Sequence, residues 1–270
     1  MSATTETRLS TIRNLEISWP VLPDDFILPD DPVEDTEHHP LAAALHDALS
    51  AVPELLQDAL ITTNFALCAG VNNRTICKAL DWMYVRPVPA WPHYRPRRSY
   101  TPHTQGPVPL VVMEFLSTSD NDEYSMQFQP RIGKWFFYEQ VIKVPTYVIF
   151  QPETALLEVY GLRSQHYQLQ TPDANDRYWI PGLDLFLGVW QGRRNERTGA
   201  WLRWWNAAGE LLLWPEERAE QERLRAEQER LRAEQERLRA EQERQRAEAA
   251  EQRAAQLAER LRQLGIEPDS

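Results

Sequence analysis

The sequence predicts an α/β fold, a mixed β-sheet flanked by helices, continued by one long C-terminal helix. Three observations predict it. Short segments rich in Val, Ile, Phe and Tyr alternate with stretches of helical spacing. An apolar content of 42%, with 10% aromatic residues, suffices for a packed core. From Glu216 the composition changes to a charged heptad repeat.

In chain order, residues 1–36 include "LPDDFILPDDPVED", which is rich in Pro and Asp and lacks periodicity, so an extended arm is expected. The segment "TEHHPLAAALHDALSAV" then sets Leu41, Leu45 and Leu49 four apart behind Pro40, an amphipathic helix. Asn64 to Cys68 and Asp81 to Val85 read as strands, and a proline-rich loop runs on to about Pro109. "PLVVMEFLSTSD", Pro109 to Asp120, opens as a buried strand. Arg131 to Ile142 has helical length and spacing, and "TYVIF" and "LLEVYGL" return to strand character. "WLRWWNAAGELLLW" reads as two apolar segments around an Asn-Ala-Ala-Gly turn, a hairpin that closes a domain over 37–215.

Residues 216–270 form a charged helical tail. "AEQERLR" occurs three times and a fourth time with Gln245 in place of leucine. Leu224, Leu231 and Leu238 supply one apolar position per heptad, while Glu and Arg pairs at i,i+3 and i,i+4 support a solvated helix. Ala247, Ala250, Ala254, Leu257, Leu261 and Leu264 then alternate spacings of three and four, a better coiled-coil seam, and Gly265 and Pro268 close the helix. A self-association or partner helix and a lone solvated helix both fit this pattern.

Charge narrows the function classes. The chain carries a formal −11, and residues 1–215 hold 25 acidic against 17 basic residues, a net −8. Net charge therefore opposes non-specific binding to a polyanion, and contact with nucleic acid would need a local basic patch. Arg95, Arg97 and Arg98 form one candidate, and Arg193, Arg194 and Arg197 another; a solvated surface loop is the plainer reading of both. The start of the chain lacks an apolar core of the signal-peptide kind, and no apolar run approaches the roughly 18 residues of a membrane span, so a cytoplasmic protein without membrane contact is expected. Cys68 and Cys77 are expected to be buried thiols in a reducing compartment.

The chemistry begins with Glu114, a carboxylate inside an apolar strand. An ionised carboxylate buried alone costs several kcal/mol or more, so such a residue needs a partner, a proton or a metal. A second acid, Asp81, sits in the apolar run "KALDWMYV", and Lys134 stands four residues before Tyr138 on the helix that follows Glu114. Two carboxylates and a lysine on neighbouring elements can make a Mg²⁺ site, and acids meeting solvent or arginine at strand edges give the same spacing. His38 and His39 are adjacent and so do not share a helix face, and His93, His103 and His166 lack ligand partners by spacing. The ten tryptophans read as core or sheet-face residues, and Ser117 and Ser119 as turn residues. No nucleophile-elbow motif supports a Ser-His-Asp reading.

Six segments in order, "KALDWMYV", "RSY", "PLVVMEFLS", "GKWFFYEQVIKVPTYVIF", "WIPGLDLFLGVWQG" and "WLRWWNAAGE", resemble the Uma-type restriction-endonuclease family, a branch of the PD-(D/E)XK nuclease superfamily. The tail ending "LAERLRQLGIEPD" resembles the tails of its members, and the likeness covers most of residues 37–270. The resemblance implies a restriction-endonuclease-like mixed sheet flanked by helices. It also implies that Asp81 and Glu114 hold Mg²⁺ or Mn²⁺ together with the backbone carbonyl of Phe115. The superfamily's lysine two positions after the second acid is Leu116 here, and Lys134, with Tyr138, matches the lysine that stands in for it in this family. Glu37 is the nearest equivalent of a further acid on the first helix. Leu80 replaces the proline that precedes the first acid. The resemblance thus implies a metal-dependent endonuclease cutting phosphodiester bonds in DNA, expected as a homodimer or with a coiled-coil partner. The other reading is a catalytically inactive nuclease-fold module whose tail recruits a partner, which the acidic body favours.

Overall fold

A computed structural model describes residues 15–21, 38–91, 96–116, 122–128 and 132–263. Contacts divide the chain into two units, Met1–Pro215 and Glu216–Ser270.

The first unit holds an eight-stranded mixed sheet in the order β1-β2-β3-β5-β6-β7-β8, with β4 pairing to β2 beside β1. The strands are β1 (Ile17–Ser18), β2 (Leu60–Val71), β3 (Arg74–Val85), β4 (Ser99–Tyr100), β5 (Val111–Phe115), β6 (Thr146–Gln151), β7 (Leu156–Arg163) and β8 (His166–Leu169). A second, three-stranded antiparallel sheet contains β9 (Arg177–Ile180), β10 (Leu185–Arg194) and β11 (Arg197–Trp205). The architecture is the α/β arrangement expected of a restriction-endonuclease-like fold.

Strands β2 and β3 are each twelve residues long, far longer than the apolar segments that signalled them. The turn between them, Asn72-Asn73, has both residues at positive φ, 48° and 64°, the geometry of a two-residue hairpin. Cys68 and Cys77 lie directly opposite each other in this ladder and are joined as a disulfide, not left as two thiols. Their separation of nine residues gave no sign of contact because the hairpin that sets the pair was not legible in advance. The argument for a reducing compartment that rested on free thiols falls with it.

Three further segments are more specific in the structure than their patterns. Within the expected arm, Ile17–Ser18 pairs antiparallel with Gly70 and Val71 as an added edge strand. The apolar segment "WLRWW" takes its ladder from Leu185–Arg194, and after the Asn206–Gly209 turn only one bridge, Trp205 to Leu211, forms. The helix expected over Arg131–Ile142 starts at Lys134, with an α-turn, Lys134–Phe136, running into a π-helix, Phe137–Ile142 (together α2). Lys143 ends it in the left-handed region at φ 63°.

The sheet is covered on both sides, which explains why every residue of β5 is buried. On one face, helix α1 (His38–Leu49) sets Leu41, Leu45 and Leu49 against Trp82, Tyr84, Val111 and Met113, with Leu187, Leu202 and Trp204 of the second sheet in the same layer. The indole N–H groups of Trp204 and Trp214 donate to the α1 carbonyls of Leu45 and Ala44, at 3.2 and 3.0 Å. On the other face, Phe136, Phe137, Tyr138 and Val141 of α2 pack with Met83, Val112, Tyr147 and Ile149. Strands β5 and β6 are parallel, and α2 is the crossover that parallel pairing requires.

The second unit is helical. Helix α3 runs from Pro215 to Gln263 with no buried residue, and Leu224, Leu231, Leu238 and Leu257 are exposed. Ion pairs such as Glu220 to Arg223 and Arg244 to Glu248 follow the expected spacings. The expected helix end at Leu264, Gly265 and Pro268 lies outside the described residues. No described helix is long and apolar enough to cross a membrane.

Because Leu45 is fully buried between the two sheets, Leu45→Ala is expected to cost about 2–5 kcal/mol of stability in urea or thermal unfolding. A cost below roughly 1 kcal/mol would mean that α1 does not seal this layer.

Candidate functional site

Strand β3 carries the first acid at a break in its own pattern. C-terminal to Asp81, Trp82 and Tyr84 enter the α1 layer while Met83 and Val85 enter the α2 layer. N-terminal to it, Leu80 belongs to the α2 layer, where strict alternation would have put it with Trp82. Across the ladder, Asn64 has φ 45° and drops out between the pairs Thr63 to Trp82 and Phe65 to Leu80. The β3–β5 pairing ends at Trp82 and Met113. The Asp81 carboxylate takes over there, its Oδ2 accepting the Phe115 N–H at 2.6 Å. Its Oδ1 lies 3.3 Å from Nδ1 of His38, at the start of α1.

Glu114 points to the opposite layer, toward α2. Its side chain is wholly buried. Oε2 accepts from the Lys134 ammonium at 3.0 Å and Oε1 from the Tyr138 hydroxyl at 2.6 Å. Four residues apart, Lys134 and Tyr138 reach one carboxylate because β5 and α2 belong to the same β-α-β unit.

A third carboxylate completes the cluster. Glu123, on the single helical turn Asp122–Tyr124, is buried, and its Oε1 accepts from Lys134 at 3.1 Å. Tyr147 fixes that turn by donating to the Glu123 carbonyl at 3.0 Å. Gly133 lets the turn's C-terminal flank approach α2: a Cβ there would meet the Ser125 carbonyl oxygen at 2.1 Å. The Phe136 N–H donates to that same oxygen.

Lys134 bonds Glu114 and Glu123, and Asp81 lies near enough to act on the lysine and on Glu114 through its charge. Burial pushes the Glu114 carboxyl up to about 8, with Asp81 and Glu123 adding to the rise and Lys134 and Tyr138 opposing it. Burial works against the Lys134 ammonium, but the charges of Glu114, Glu123 and Asp81 outweigh it and hold the lysine above its usual range. Lys134 is therefore a fixed cation. The Tyr138 hydroxyl is raised by burial and by Glu114, so it stays protonated and donates.

The donor set suits a hard divalent cation in charge and in atom type. Among the described residues, Glu123 Oε2 is a buried acceptor with no hydrogen-bond partner, and the acids exceed the lone ammonium. No three His, Cys, Asp or Glu side chains converge on one point among the described residues, so any ion would rest on two carboxylates and backbone.

Sequence reasoning named Asp81, Glu114, Lys134 and Tyr138, and the structure brings them together. It missed Glu123 and His38. Glu123 lies in "NDEYS", where nothing local separates a buried acid from a solvated one; His38 was set aside because it shares no helix face with His39, and it is buried beside Asp81. Glu37 and Arg95 lie outside the described residues. Of the basic groups, Arg194 pairs with Asp47 and lies over Trp214, and Arg197 lies over Trp201, so both serve packing. Arg98 is exposed, and Arg97 is half-buried over Trp91.

A family model described as "Uma2: Putative restriction endonuclease" matches residues 21–200, two thirds of the chain, including Asp81, Glu114 and Glu123. The chain belongs to this family. Membership in Uma2 suggests a nuclease, and with it a DNA substrate; restriction-endonuclease-like families generally use divalent metals. No curated protein matches the chain.

The raised Glu114 pKa fixes a sign. A carboxyl that binds its proton more tightly folded than unfolded loses stability as pH rises from the ordinary carboxylate range through about 8. Glu114→Gln is therefore expected to raise the metal-free melting temperature at pH 8 by a few degrees, at about 2–4 °C per kcal/mol for a unit of this size. A lowered melting temperature would show that Lys134 needs the Glu114 charge.

Proposed function

We propose that this Uma2 protein is a divalent-metal-dependent endonuclease that hydrolyses phosphodiester bonds in DNA. The observation that carries the reading is the buried cluster in which Asp81 and Glu114 lie where the pairing of the adjacent strands β3 and β5 ends and Lys134 bridges Glu114 to Glu123. Asp81, Glu114 and the Phe115 carbonyl would hold Mg²⁺ or Mn²⁺. When bound, the cation supplies Lewis acidity toward a phosphoryl oxygen and water.

The chain's own groups do the rest. Lys134, held protonated by its carboxylates, donates toward charge developing on the phosphate and is not a general base. Glu123 is a positioning residue that shares the ammonium with Glu114 and so helps to aim it. Tyr138 fixes the Glu114 rotamer, and the Phe115 N–H fixes that of Asp81, so neither carboxylate has to be ordered when substrate arrives. His38 orients the second oxygen of Asp81.

The domain limits 37–215 and 216–270, and a role for the tail in self-association or partner recruitment, belong to the same proposal. The exposed leucines at heptad spacing support the latter. The competing reading, an inactive module that recruits a partner, draws on the net −8 of residues 1–215.

The test is cleavage of supercoiled plasmid in Mg²⁺ and in Mn²⁺. Nicking or linearisation by the wild type is expected to disappear in EDTA and in Glu114→Ala. Lys134→Ala is expected to lose about 10²–10³-fold in rate, as for removal of a charge-stabilising donor. Glu123→Gln is expected to lower the rate with the metal-induced thermal shift retained, because it acts through Lys134. Millimolar cation should raise the wild-type melting temperature and leave Glu114→Ala unmoved. No cleavage together with no thermal response would select the inactive module.

A further inference from the structure

The proposed site is acidic and the unit around it carries net negative charge, so a DNA strand cannot be held there by the active-site residues alone. Some cation outside the cluster has to meet the phosphates. The sheet register singles one out. Strand β4 pairs parallel with β2 through Ala66 to Ser99 and Leu67 to Tyr100, and continuing that register two residues back sets Arg97 level with Asn64. Asn64 stands opposite Asp81 in the β2–β3 register, and Asp81 adjoins Phe115 and Glu114 at the end of β5. Arg97, Asn64, Asp81 and Glu114 thus form one row across the sheet. At about 4.8 Å per strand, Arg97 lies some 10–14 Å from the two acids.

The surroundings of Arg97 suit an anion. Its guanidinium lies 4.5 Å from the ring centre of Trp91 and 5.9 Å from that of Tyr100. Tyr100 belongs to the same layer as Tyr138 of α2, on the sheet face to which Glu114 points. Among the described residues, Nε and Nη1 of Arg97 are shielded from solvent and have no hydrogen-bond acceptor. A guanidinium fork held near two aromatic rings with two donors unspent matches the geometry of a phosphodiester. The other described half-buried arginines near an aromatic ring differ: Arg177 donates to the Gly209 carbonyl, Arg194 to Asp47 and Arg197 to the Ala200 carbonyl.

We propose that Arg97 is the phosphate anchor of the substrate strand, binding a non-bridging phosphodiester oxygen a few nucleotides from the bond placed at Glu114 and Lys134. This rests on the nuclease reading above and assigns its strand path, across the sheet from β5 toward β4. Arg97 is a positioning residue. Its loss raises KM with little change in kcat.

The probe is a fluorescein-labelled DNA duplex, titrated by anisotropy with the Glu114→Gln protein across a salt series, with and without Arg97→Gln and Arg97→Lys. Loss of Arg97 is expected to weaken binding about tenfold at low salt and to reduce the slope of log K against log salt by about 1. Arg97→Lys should keep the slope and recover part of the affinity. An unchanged slope and affinity in Arg97→Gln would overturn the anchor while leaving the nuclease reading intact. So would weaker binding with an unchanged slope and a lowered melting temperature, which marks a packing role. Arg97-dependent binding with no cleavage by the wild type in any metal would keep the anchor and remove the nuclease reading. No binding by any form overturns both.

Discussion

The site depends on one ammonium between two buried carboxylates. Lys134 lies 3.0 Å from Glu114 and 3.1 Å from Glu123, and removing it would leave two acids in an apolar layer with a single hydroxyl between them. Breaking a buried pair by deleting one partner costs roughly 3–5 kcal/mol, because the remaining charge is uncompensated. The cluster is therefore stable as a unit, and still deficient in positive charge. That deficiency is what a metal ion or a proton would relieve, which ties the oddest stretch of the sequence to its chemistry.

The layers around the cluster explain how such a charge imbalance is tolerated. The α1 layer buries four of the ten tryptophans, Trp82, Trp201, Trp204 and Trp214, and the indole donors of Trp204 and Trp214 tie their segments to α1. Arg203 is fully buried there, its guanidinium carbon 3.4 Å from the Trp214 ring centre and one nitrogen donating to the Leu212 carbonyl. This side supplies stability. The α2 layer, a short π-helical crossover with polar side chains turned inward, supplies the site, and π-helical turns often occur where function displaces regular packing.

Much of the fold could be read in advance because its signals are local. Leucines four apart mark α1, β-branched runs mark β5 to β7, and the heptads mark α3. The lengths of β2 and β3 could not, since their outer halves are partly exposed and polar, and the Asn-Asn turn that joins them is a weaker signal than Asn-Gly. Pairing of Cys68 with Cys77 followed from that hairpin alone. "WLRWW" makes five ladder pairs with Leu185–Arg194 on one edge, while on its other edge the Asn206–Gly209 turn brings back "LLLW" for a single bridge, Trp205 to Leu211.

By itself the sequence determined that a carboxylate at 114 had to be answered, because no apolar strand accommodates an unpaired charge, and it supplied the answering residues Lys134 and Tyr138 beside a second acid, Asp81. Only the tertiary structure decided that Glu123 shares the lysine and that His38 meets Asp81. These are contacts between elements far apart in the chain, and their specificity resides in register and crossover geometry, which a local pattern of residues does not carry.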